Sequence, residues 1–137
     1  AREVCKRLMP SKVYKLNTTE SKLDDSSIQE IENNNYIIVV KAKKILVVAG
    51  SPTEQEWKIT DIIDLCKNMQ LDITLALVCM RSFERKDGFS TEEELVELSE
   101  LLLLEEKITR IDDDNFQESQ EWNDRVNKIV ELINENI

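Results

Sequence analysis

Residues 36–80, YIIVVKAKKILVVAGSPTEQEWKITDIIDLCKNMQLDITLALVCM, decide the fold. Tyr36–Val40 and Ile45–Ala49 are unbroken apolar runs rich in β-branched residues, the pattern of strands covered on both faces. Lys41-Ala42-Lys43-Lys44 between them carries no tight-turn signal, so hairpin partners and separate strands both remain open. In the turn that follows Ala49, Ser51 suits an N-cap, Pro52 suits the first helical position, and Glu54 stands where a capping box needs it. A helix is predicted from there to about Met69, with Trp57, Ile59, Ile62, Ile63, Cys66 and Met69 on one face. Leu71–Met80 then reads as another strand, apolar enough to be central.

Toward the N-terminus, Val4, Cys5 and Leu8 at helical spacing predict a short helix that Pro10 ends. Lys12–Leu16 alternates polar and apolar residues like an edge strand, and Asn17–Ser27 is polar. A short helix is predicted over about Ser26–Asn33, closing in the turn-prone Asn33-Asn34-Asn35. Beyond Met80 a charged loop containing Asp87-Gly88 leads to a second helix start, where Ser90 with Glu93 or Thr91 with Glu94 matches a capping box. That helix, predicted to about Glu106, buries Leu95, Leu98, Leu101 and Leu102. Lys107–Ile111 reads as a short strand before Asp112-Asp113-Asp114. A last helix, roughly Gln117–Asn136, puts Trp122, Val126, Ile129, Val130, Ile133 and Ile137 on one stripe.

From Ile45 onward the order is β-α-β-α-β-α. This predicts a three-layer, Rossmann-like α/β domain with a mostly parallel central sheet and helices on both faces. The length of 137 residues suits one such domain, and a start at Ala1 rather than methionine is what a fragment of a longer chain would show.

The formal net charge of −10 is unevenly placed: Ser90–Ile137 holds fifteen Asp/Glu against four Lys/Arg, and the rest is near neutral. Such a balance opposes binding to nucleic acid or anionic membranes, and it admits a basic protein partner. Cys5, Cys66 and Cys79 are widely spaced and form no CxxC pair, which fits a reducing compartment, cytoplasmic or nuclear. No signal peptide or bilayer-length apolar run is present.

The absence of histidine removes Ser-His-Asp and Cys-His nucleophilic catalysis and His-ligated zinc. The first site candidate is the turn at Gly50, Ser51 and Thr53. Free amides, the helix dipole and two hydroxyls there would bind a phosphate or carboxylate, although capping alone accounts for Ser51, Pro52 and Glu54. The turn has neither the full Rossmann glycine pattern nor the Walker lysine. Asp112 and Asp114, past a predicted strand, are candidates for Mg²⁺ or Ca²⁺, although acidic residues before a helix also serve its dipole. Leu103 and Leu104 widen the apolar arc of their helix and are the interface candidates.

The order Ala49-Gly50-Ser51-Pro52, helix, strand, Ser/Thr-led acidic helix, strand and helix resembles the second half of a von Willebrand factor A-type domain, over roughly residues 44–137. The resemblance implies protein contacts. The Asp-x-Ser-x-Ser metal loop of those domains has no counterpart, Asp24 and Ser26 matching only part of it.

The functional expectation is a non-catalytic protein-interaction or regulatory domain of a larger intracellular protein, without a cofactor. Its alternative is a nucleotide- or phosphate-binding enzyme or sensor at Gly50–Thr53, with Mg²⁺ at Asp112–Asp114.

Overall fold

A computed structural model describes residues 1–81, 84, 86–99 and 111–137. Its elements, in chain order, are α1 (Arg2–Leu8), β1 (Lys12–Asn17), β2 (Lys22–Asp25), β3 (Asn35–Val40), β4 (Lys43–Val48), α2 (Pro52–Gln55), α3 (Ile59–Asn68), β5 (Ile73–Val78), α4 (Thr91–Leu98) and α5 (Gln120–Glu135). Short 3₁₀ turns occupy Ile28–Glu30 and Phe116–Glu118.

Among the described residues the strands form one sheet in the order β2-β1-β3-β4-β5. The pairs β1–β2, β1–β3 and β3–β4 are antiparallel, and β4–β5 alone is parallel. The sheet is therefore mixed and mostly antiparallel, which corrects the expectation of a Rossmann-like, mostly parallel one. The reason lies in the connections. A parallel pair needs a crossover, and among these pairs only β4 and β5 are separated by helices.

The link between β3 and β4 is a two-residue turn in which Lys41 and Ala42 take φ of 50° and 61°. Both lie in the left-handed region, as a type I′ hairpin turn demands, yet neither is the Gly or Asn that usually announces one. β1, expected at an edge, lies inside the sheet because β2 forms within the polar stretch Asn17–Ser27, where no strand was expected. The helix expected over 26–33 shrinks to its 3₁₀ turn.

Alternation along the central strands divides the core. Tyr36, Ile38, Val40, Ile45 and Val47 face α1 and α5, where they meet Val4, Cys5, Leu8, Val126 and Ile133. Ile37, Leu46 and Val48 face the other way, onto Ile59, Ile62 and Cys66 of α3. Burying each such large aliphatic side chain stabilises the fold by about 1.5–3 kcal/mol. Arg7 fastens α1 to α5: its Nη1 and Nη2 donate to Asn127 and Asn123, each at 2.8 Å, and its guanidinium lies 5.5 Å from the Trp122 ring centroid.

The helix read as continuous from Ser51 to Met69 is broken. Glu56 adopts φ 57°, and the Trp57 N–H closes back onto the Pro52 carbonyl at 3.0 Å, so α2 ends after one turn before α3 begins. α4 ends at Leu98, with Ser99 extended. The strand expected over 107–111, its last residue apart, and the interface candidates Leu103 and Leu104 lie outside the described residues.

Candidate functional site

The registers bring the carboxyl ends of β1, β4 and β5 and the amino ends of β2 and β3 to one end of the sheet. The Gly50 turn follows β4 at this end. Each of its three candidate groups is engaged within the chain. A Cβ added at Gly50 would lie 2.8 Å from both the carbonyl carbon and the oxygen of Asn33, so the backbone that approaches this glycine is the protein's own. Ser51 is buried, and its Oγ accepts the Glu54 N–H at 3.3 Å, the N-cap expected from its position.

The Thr53 hydroxyl donates to a carboxylate oxygen of Glu84. That carboxylate also accepts the Thr91 N–H at 2.7 Å and the Thr91 hydroxyl at 2.9 Å. Glu84 therefore caps α4 and ties its start to α2. The capping boxes expected from Ser90 and Thr91 do not form: Ser90 makes no side-chain cap bond, and Glu94 instead accepts the Thr60 hydroxyl at 2.6 Å.

Two exposed ion pairs fringe the turn. Hydrogen bonds and charge from Arg81 hold the Glu54 carboxyl below the usual carboxylate range. Lys86, 2.6 Å from Glu56, does the same there. Asp112 and Asp114 are exposed, and between them the Asp113 carboxylate accepts the Asn115 N–H at 2.9 Å. Among the described residues no group of three or more Cys, Asp or Glu is arranged to hold a metal ion.

The concave feature of this end is one that sequence reading missed. A cleft of about 420 Å³ is lined by residues of β1 and the β1–β2 turn, by Asn33, Asn34 and Asn35, and by Gln55 and Trp57 from the end of α2. A second depression of about 340 Å³ also touches Lys15, Asp24 and Asn34 and adds Asp25, Glu30 and Glu32; it lies toward Tyr36 and the α1 side, whereas the first cleft lies toward Leu16 and Trp57 on the α3 side.

The wall of the first cleft is held from behind. Asn35, 3% exposed, donates to Gln55 Oε1 at 2.8 Å and accepts from Gln55 Nε2 at 3.0 Å. The same Nε2 also donates to the Gly50 carbonyl at 2.6 Å. Asn17 Nδ2 donates to Asp24 at 3.1 Å, and Asn17 Oδ1 accepts the Glu20 N–H at 2.9 Å. The one signal in the sequence was the run Asn33-Asn34-Asn35, which turn chemistry alone explains.

The three thiols are free. Burial pushes Cys5 and Cys66 up to about 11, so both remain protonated and act as small apolar side chains. Among the described residues no helix is long and apolar enough to cross a membrane. No protein-family model matches the chain, and no curated protein or solved structure matches it.

Proposed function

We propose that this chain is a non-catalytic interaction domain whose partner is a basic protein. The observation that carries the reading is the outer face of α4, where Glu92, Glu93, Val96 and Glu97 are exposed, Val96 at 59%. None of these glutamates joins an ion pair among the described residues. Unpaired acidic groups beside an exposed valine suit electrostatic steering of a cationic surface. The nucleotide alternative has to contend with Glu84: a phosphate at Gly50, Ser51 and Thr53 must displace a carboxylate already bonded to Thr53 and Thr91.

Fluorescence anisotropy with labelled decapeptide pools, basic, neutral and acidic, tests the proposal. The basic pool is expected to bind, and to weaken as salt rises. Equal binding of all three pools, or a thermal shift with nucleotides instead, contradicts it.

A further inference from the structure

We infer that the cleft beside Trp57 binds a neutral saccharide, with side-chain amides taking its hydroxyls and the indole its apolar ring face. This goes beyond the interaction reading and is independent of it, since the cleft lining shares no residue with the outer face of α4.

Neutral hydrogen-bonding groups dominate this cleft, and many of them are unspent. The side chains of Thr18, Thr19, Asn33 and Asn34 and the indole N–H of Trp57 have no hydrogen-bond partner among the described residues. Asn35 adds a buried one. It is 3% exposed and exchanges one bond each way with Gln55, which leaves one Nδ2 hydrogen and one Oδ1 lone pair unmatched in a residue that lines the cleft. A hydroxyl donates once and accepts twice, and a side-chain amide offers both donors and an acceptor, so neighbouring sugar hydroxyls match amides in pairs. Trp57 is half-buried against the α3-side core, which holds its ring in the cleft wall. An indole there supplies the apolar contact that the C–H groups of a sugar ring need.

Charge argues against other small ligands. The lining carries one cation, Lys15, and one carboxylate, Asp24, and that carboxylate already accepts Asn17 Nδ2 at 3.1 Å. A phosphate or carboxylate ligand calls for convergent cations, and a basic ligand for convergent carboxylates. The scaffold is also fixed before a ligand arrives. The Asn33 carbonyl group lies against Gly50, the Asn34 carbonyl accepts the Ala49 N–H at 2.9 Å, and Asn17 closes the β1–β2 turn through the Glu20 N–H. Binding then orders a few amide rotamers rather than a loop. A cleft of about 420 Å³ is of small-molecule size and suits about one or two sugar rings.

The test is a ¹⁵N-edited NMR titration of the whole chain with maltose, cellobiose, lactose and N,N′-diacetylchitobiose in turn. At least one is expected to move the side-chain amide signals of Asn33, Asn34 and Gln55 and the Trp57 indole signal, equally at low and high salt because no charge is matched. Asn34→Ala combined with Thr19→Ala, both at exposed positions, should weaken that disaccharide by about tenfold without altering the unliganded spectrum elsewhere. Unchanged affinity in this double variant overturns the assignment. So does the absence of a shift with all of these sugars, or movement of the same signals by the basic decapeptide pool alone. The basic-partner reading is decided at α4, so it holds or fails separately.

Discussion

Asn35 and Gln55 exchange side-chain amide hydrogen bonds of 2.8 and 3.0 Å, joining the first residue of β3 to the last residue of α2. The same Gln55 amide reaches the Gly50 carbonyl. One side chain thus satisfies a buried amide and fixes the backbone where β4 turns into helix. Gln55→Ala strands both partners and should cost about 2–3 kcal/mol, read as a lower urea midpoint. Gln55→Glu should cost at least as much, since it sets a second acceptor against the Asn35 oxygen and the Gly50 carbonyl.

Gly50→Ala meets backbone rather than a pliable side chain, because the Asn33 carbonyl stands 2.8 Å from the added Cβ. A loss of about 1–3 kcal/mol is expected. Ser51→Ala removes only a cap and should cost about 1 kcal/mol. Chemical denaturation of both variants would rank them, and an alanine tolerated at position 50 would contradict the close approach.

Glu84 links the starts of α2 and α4 through Thr53 and Thr91. Glu84→Ala should lower stability by about 1–3 kcal/mol, the scale of lost hydrogen bonds to a charged group. It should also vacate the amide and hydroxyls, so inorganic phosphate stabilises the variant thermally and leaves the wild type unmoved. Phosphate stabilising the wild type equally would mean that the carboxylate does not fill the seat.

Cys5 and Cys66 have folded-state pKa values of about 11, raised from 9.0 by burial. The folded state then holds its thiol protons to higher pH than the unfolded chain. The sign follows: the contribution is fully present below pH 9 and is lost as pH climbs through 11. Alkaline denaturation should show this loss, and Cys5→Val with Cys66→Val should flatten it. At neutral pH a maleimide should modify Cys79, which is only half-buried, well before the other two thiols.

Much of the fold was written in local pattern. The Ser51-Pro52 start, the apolar runs of β3 and β4, and the Trp122-to-Ile137 stripe of α5 all occur where periodicity placed them. Strand direction was not legible, because the turn that sets it uses Lys41 and Ala42 in a conformation their identities do not advertise. The break after α2 escaped for the same reason, with Glu56 rather than glycine at positive φ. The cleft beside Trp57 was illegible in a further sense. Its walls come from β1, the Asn33–Asn35 link and the end of α2, segments that only the antiparallel register brings together.

Intermolecular NOEs between the isotope-labelled chain and one unlabelled basic decapeptide selected from the pool test the account most directly. Cross-peaks from the peptide's lysine or arginine methylenes to Val96 and to Glu92, Glu93 or Glu97 on the outer face of α4 are predicted. Cross-peaks confined to other faces, or none with any basic peptide, would contradict it.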